Sequence, residues 1–361
     1  MNLIEAPRLS QWNTCIPQVQ QLKFIFLENN QIFSLEGLTG IYLPNLESLA
    51  LENNKIANVS DIRFFQMPNL QELKLGQNDI SNIDGIQYLN STQLVEISLS
   101  NNRIKTTEGM SKWNLSKLER LTLSNNQITD LSGFQSAIIP EIKSIRLGGN
   151  RLVNLNGLTN TTFPHLQSLL LYFNEIENLD ALATVHYENL EDLYLGNNLI
   201  SNVEWLGNAS RFPKLTSLWL NTNNISDLRF INWSDFQSLE TLHLENNRIS
   251  ELSWNLGENT LIEIYLQRNQ LVDVNSLVHF PLLQWIQVEN NPLKDVSLLV
   301  SGNVKNLNHF SSDISLVCTD NVSQFESTCG KCQCRTTGQE CLAVEIDCSG
   351  LFQYIKSLSN F

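Results

Sequence analysis

Apolar and polar positions recur along this chain with one spacing. Residues 46–56, LESLALENNKI, read L-x-x-L-x-L-x-x-N-x-I. Copies aligned on the last Asn fall at Asn30, Asn54, Asn78, Asn102, Asn126, Asn150, Asn174, Asn198, Asn223, Asn247, Asn269 and Asn291. The spacings are 24 residues seven times, then 25, 24, 22 and 22. The L-x-L alternation predicts a short strand in each copy, with Leu46, Leu49 and Leu51 turned inward. The Asn follows where the chain leaves the strand. Its amide can both donate to and accept from backbone groups that no sheet partner satisfies, so stacked copies predict a ladder. After the Asn the pattern runs N-x-I-x-x-L/V/I, as in residues 30–35, and Ile56 re-enters the core. Irregular or short helical return segments follow. They are closed by Pro44, Pro68, Pro140, Pro164, Pro213 and Pro281, because proline disfavours helix in the residue before it.

This period and this consensus resemble the leucine-rich repeat family. The resemblance implies an α/β solenoid: a horseshoe of about 12 repeats with a parallel sheet on its concave face. No turn buries its apolar side alone, so each depends on its neighbours. At about 4.8 Å per strand, the inner edge should span roughly 55 Å. The expected organisation is a leading segment over 1–17 (a partial repeat or cap), the array over 18–295, a terminal edge and linker over 296–327, and a cysteine-rich cap over 328–361. Ile314 and Leu316 are expected in one last edge strand. Asn2, Leu3 and Ile4 look like the tail of an earlier repeat, which suggests a piece of a longer protein.

The chain has 361 residues, 23 basic and 37 acidic, for a net charge of −14. Such a balance argues against nucleic acid and anionic membrane as partners. The first 17 residues do not read as a signal peptide. Of seven cysteines, Cys318, Cys329, Cys332, Cys334, Cys341 and Cys348 cluster near the end, while Cys15 stands apart. The cluster reads as a disulfide-stapled cap in an oxidising compartment; a zinc site built on its C-x-x-C pair is the alternative. Residues 328–350, C-x2-C-x-C-x6-C-x6-C ending in Asp-Cys-Ser-Gly, resemble the cysteine cap that precedes an extracellular leucine-rich array. A cap placed after one array implies a second, and resembles the ectodomains of Toll-type receptors. That resemblance also implies membrane attachment through a region beyond Phe361. Sequons begin at Asn58, Asn90, Asn114, Asn160, Asn208, Asn224, Asn232 and Asn321. The chain's Asn, Ser and Thr content alone would give nearly as many. Their placement says more: none lies between the first motif leucine and the ladder Asn of a repeat, so glycans would leave the strand face clear.

Side chains between the motif leucines face the concave solvent side. The central column reads Phe26, Ala50, Lys74, Ser98, Thr122, Arg146, Leu170, Tyr194, Trp219, His243, Tyr265, Gln287. Its second half is aromatic, and Tyr172, Phe173, Trp285, Glu245, Glu263 and Arg268 flank it. Contiguous aromatics rimmed by polar groups mark interaction sites, so Leu170, Tyr172, Phe173, Tyr194, Trp219, His243, Glu245, Tyr265, Arg268 and Trp285 form the candidate ligand face. Packing of large side chains along the ladder is the competing explanation. Phe24 and Phe26 make a smaller apolar spot at the start. The histidines His165, His186, His243, His279 and His309 sit in no catalytic or metal-ligand motif, and only His243 is expected on the concave face, as a solvated residue. No enzyme activity and no cofactor are expected. The leading reading is an extracellular, secreted or cell-surface scaffold that binds a protein or glycan, with an oligomer among its expected states. The alternatives are a structural component of an extracellular assembly and an intracellular leucine-rich scaffold.

Overall fold

The computed structural model describes residues 19–252, 260–294, 296, 299 and 306–312, together with the backbone of 315–317, 340–342 and 346–347. The chain forms two compact units, Met1–Leu193 and Tyr194–Phe361.

In the first unit the L-x-L segments form β1 (Phe24–Phe26), β2 (Ser48–Ala50), β3 (Glu72–Lys74), β4 (Glu96–Ser98), β5 (Arg120–Thr122), β6 (Ser144–Arg146) and β7 (Ser168–Leu170). Each pairs in parallel with the next, residue for residue, so Leu49, Leu73, Ile97, Leu121, Ile145 and Leu169 stack in one inward row. These six are fully buried. Each such side chain contributes about 1.5–3 kcal/mol through removal from water, which is why the register is fixed. The strand β8 (Asp192–Tyr194) lies at the division between the units.

The second unit continues the pattern with β9 (Ser217–Trp219), β10 (Thr241–His243), β11 (Glu263–Tyr265), β12 (Trp285–Gln287) and β13 (His309–Ser311), paired in parallel in that order. Thus the parallel ladder runs one strand past residue 295. The strands β14 (Ser315–Val317), β15 (Glu340–Leu342) and β16 (Ile346–Asp347) follow. β16 pairs antiparallel with β13, and so covers an edge that would otherwise present open backbone groups. Leu316, expected on a last edge of the array, instead lies in β14, which pairs antiparallel with β15. Ile314, Asn2, Leu3, Ile4, Asn321, Cys15, Cys318, Cys329, Cys332, Cys334 and Cys348 lie outside the described residues, and Cys341 is described only as backbone of β15.

The return legs contain 3-10 turns, such as Ser60–Phe64, Asp84–Tyr88 and Glu108–Lys112 in the first unit and Glu204–Gly207 and Asn275–His279 in the second. A second polar column starts these turns. Four residues after the ladder Asn, a side-chain oxygen accepts the backbone N–H two residues on: Asn58 Oδ1 from Ser60 (2.8 Å), Asn82 from Asp84 (2.6 Å), Asn178 from Asp180 (2.7 Å), Asn202 from Glu204 (2.7 Å), Asp273 from Asn275 (2.6 Å). Each such bond satisfies an N–H at the start of a turn too short to satisfy its own. Behind the turns lie large side chains: Trp113, Phe134 and Tyr187 are fully buried, with the Tyr187 hydroxyl 2.8 Å from Thr161 Oγ1. Burial holds the Tyr187 hydroxyl well above the usual tyrosine range. Among the described residues no helix is long and apolar enough to cross a membrane.

Candidate interaction face

Two backbone devices fix the direction of the side chains on the open sheet face. The first is the Asn ladder. Asn126 Nδ2 donates to Leu99 O and to Leu123 O, both at 3.0 Å, and its Oδ1 accepts from Ile104 N at 3.0 Å. Asn102 Nδ2 also donates to Leu99 O at 3.0 Å. Each shared carbonyl therefore takes two amide donors, and each amide ties its own repeat to the one before. The same set recurs at Asn54, Asn78, Asn150 and Asn174 in the first unit and at Asn223, Asn247 and Asn269 in the second.

The second device lies one residue earlier. Asn29, Asn53, Asn101, Asn125, Asn197, Asn246 and Asn290 have φ between 54° and 58°, and Gly149 has φ of 70°. This left-handed turn suits Asn and Gly and costs other residues energy. Four copies break the rule: Gln77 (54°), Phe173 (53°), Thr222 (54°) and Arg268 (55°). Two of these, Phe173 and Arg268, belong to the candidate ligand face.

On the first unit's face, β3 carries charge rather than rings. Lys74 Nζ meets Glu72 Oε2 at 2.8 Å, and this bond holds the Glu72 carboxyl below its usual range. Leu170 and Tyr172 are half-buried, and Phe173 is 60% exposed with its ring edge-on to Tyr172 at 5.8 Å. At the other end, Phe24 and Phe26 stack with centroids 6.2 Å apart, and Phe26 is 66% exposed.

In the second unit the aromatic column becomes a continuous stack. Tyr194 lies on Trp219 (centroids 4.7 Å), Trp219 on His243 (4.0 Å), and His243 on Tyr265 (4.1 Å, planes 3° apart). Side-chain hydrogen bonds to the residue two positions away in the chain fix three of the rings. Trp219 Nε1 donates to Ser217 Oγ at 2.9 Å, Tyr265 Oη donates to Glu263 Oε2 at 2.9 Å, and His243 Nδ1 lies 3.2 Å from both Glu245 carboxylate oxygens. Burial, with the Glu263 bond adding to it, pushes the Tyr265 hydroxyl up to about 12.

Two expectations change. His243 is not a solvated histidine: its side chain is 13% exposed, because the rings of Trp219 and Tyr265 cover both faces of the imidazole. Nor is it the only histidine on this face. His309, not expected on the concave face, lies in β13 opposite Trp285, and the two rings stack at 3.7 Å. Among the described residues, the indole nitrogen of Trp285 and Nε2 of His309 have no hydrogen-bond partner. The rings of the column also shield one another, so the stack is half-buried rather than openly exposed. Beside it, Glu245 is half-buried and Arg268 exposed, and Gln267 is hydrogen-bonded to Gln287. The arrangement is an aromatic ridge flanked by amides and carboxylates.

Sequence models of the leucine rich repeat match residues 20–80, 44–104 and 237–293, and a two-copy model matches residues 92–136 and 188–233. No individual curated protein matches the chain. Among solved structures, the leucine-rich repeat domain of APL1B is similar at 21% identity over 89% of this chain and 95% of that one, with a TM-score of 0.65. The LRIM1/APL1C complex is similar at 20% identity over 96% and 64%, with a TM-score of 0.64. An internalin (inlF) from Listeria monocytogenes is similar at 22% identity over 86% and 94%, with a TM-score of 0.60. These likenesses show the fold. With the repeat models together covering more than half of its length, and with the Asn ladder they imply present in both units, the chain belongs to the leucine-rich repeat family.

Proposed function

We propose that this protein is an extracellular recognition scaffold that binds a protein or glycan through the open sheet face of its second unit, centred on Tyr194, Trp219, His243 and Tyr265. The observation that carries the reading is the ring stack itself. Four aromatic side chains from four successive strands are held in register and pinned at three rings by side-chain hydrogen bonds. A ridge ordered before binding loses little conformational freedom on contact, which favours affinity. Glu245, Arg268 and Trp285 form its polar and aromatic surroundings. Leu170, Tyr172 and Phe173 make a second patch, on the first unit.

The extracellular part rests on the sequons. Asn58, Asn90, Asn114, Asn160 and Asn208 are exposed and Asn224 and Asn232 half-buried, all on turns and return legs outside the strands. One similar solved structure is a complex between two named chains, LRIM1 and APL1C; by analogy a protein partner suits this chain. The test is the affinity of the native partner for the Trp219→Ala, Tyr265→Ala double variant. Truncating two central anchors should weaken binding by about 2–4 kcal/mol, roughly 30- to 1000-fold. Unchanged affinity, with the fold intact by circular dichroism, would remove the site.

A further inference from the structure

Away from the sheet face, the first unit has a shallow cavity of about 620 Å³ between neighbouring return legs. Thr39, Gly40, Arg63, Phe64, Gln66 and Asn90 line it. Phe64 is 50% exposed there, and the Arg63 guanidinium lies 4.5 Å from the centre of its ring. The ring is thus partly open to solvent beside a cation, and a group that can lie on it is at hand: Asn90 opens the sequon Asn90-Ser91-Thr92 and lines the same cavity.

The sequon is held in place. Ser91 is buried, and its hydroxyl donates to Leu70 O at 2.7 Å and accepts from Gln93 N at 3.2 Å. Its neighbours Asn90 and Thr92 are exposed. Tyr88, two residues before Asn90, is 56% exposed on the same return leg. A sugar attached at Asn90 thus starts beside an open aromatic ring and a cation rich in donors. The apolar C–H faces of pyranose rings pack on aromatic rings, and guanidinium N–H groups donate to sugar hydroxyls.

We propose that Asn90 carries an N-linked glycan whose first sugars rest in the Phe64–Arg63 cradle, covering the open ring of Phe64. The inference rests on the extracellular reading above. In the modification, the Asn90 amide nitrogen bonds to C1 of a sugar carried on a lipid diphosphate. The bond from C1 to the phosphate oxygen breaks, the lipid diphosphate leaves with the electron pair, and the nitrogen gives up one proton. A glycan so placed thickens the return-leg side and stays clear of the strands.

The experiment expresses the full chain in the secretory pathway of eukaryotic cells and maps glycopeptides site by site by mass spectrometry. Melting temperatures are then compared for Asn90→Gln in three backgrounds: Phe64, Phe64→Tyr and Phe64→Ser. Asn90 should be occupied, and Asn90→Gln should lower the melting temperature by about 1–3 °C with Phe64 or Tyr at the position and leave it unchanged with Ser. Occupied glycans elsewhere with a bare Asn90, or the same Asn90→Gln effect in all three backgrounds, would overturn the cradle alone. Bare Asn at all of the other sequons as well would overturn both the cradle and the extracellular reading.

Discussion

Asn126→Ala isolates what the ladder contributes. Four backbone groups lose a partner, but not equally; the weakest loss is at Ser124 O, 3.3 Å from the amide, which keeps its bond from Asn101 N. Leu99 O keeps its bond from Asn102, and Leu123 O keeps its bond from Asn150. Each loses one of two donors, at about 0.5–1 kcal/mol apiece. Ile104 N loses the Asn126 oxygen at 3.0 Å, in a buried setting that water does not reach. An orphaned buried N–H costs about 1–3 kcal/mol. The sum is about 3 kcal/mol, most of it from one N–H. Urea unfolding followed by far-ultraviolet circular dichroism measures it directly. Asn126→Asp gives a second, sharper reading. Its carboxylate can still accept from Ile104 N, but it turns a negative oxygen toward Leu99 O and Leu123 O. At neutral pH it should be at least as unstable as the Ala variant. Protonation restores a donor, and burial beside two carbonyls raises the folded-state pKa above the unfolded one. The variant therefore recovers stability relative to wild type as the pH falls toward the ordinary carboxylate range. A cost below 1 kcal/mol for Asn126→Ala at unchanged slope would refute the ladder bookkeeping, as would an Asp variant indifferent to pH.

Two further outcomes follow from the backbone and the ring stack. Thr222→Asn should stabilise the protein by about 1 kcal/mol, because a β-branched residue at φ 54° is replaced by the type that tolerates it; a lower urea midpoint would contradict the strain argument. Tyr265 holds its proton in the folded state up to about 12, against an unfolded value near 10. The folded state therefore binds the proton more tightly, so this stabilisation is complete below pH 10 and lost as the pH rises through 12. Tyr265→Phe should remove that part of the alkaline loss, and a variant whose stability falls with wild type over this window would refute it.

The fold was legible because a repeat states its own register twelve times. Once Leu46, Leu49, Leu51 and Asn54 are placed, every later copy follows, and their burial agrees. The left-handed turn is written in the doubled Asn of ENN, SNN and GNN, but the repeat motif carries only the second Asn, whose role is hydrogen bonding, while the first one's role is conformational. The caps of the return legs are similarly present in the sequence, four residues after the ladder Asn, as at Asn58, Asn82, Asn178, Asn202 and Asp273. Trp219 and Tyr265 could be put on one face from alternation alone. What alternation cannot give is the rotamer of each ring, and hence whether the rings point outward or lie on one another. His309 is not legible from the motif, because no Asn follows it at the usual distance and the Asn series ends at Asn291. Phe64 and Asn90 belong to different repeats, and only packed return legs bring them to one cavity.

The most direct test of the recognition claim is site-specific photo-crosslinking in the native complex. A photoreactive phenylalanine replaces Trp219 on the sheet face in one variant and Tyr88 on a return leg in another. The account predicts a covalent adduct with the partner from position 219 and none from position 88. An adduct from position 88 with none from position 219 would contradict it and move the recognition surface away from the ring stack.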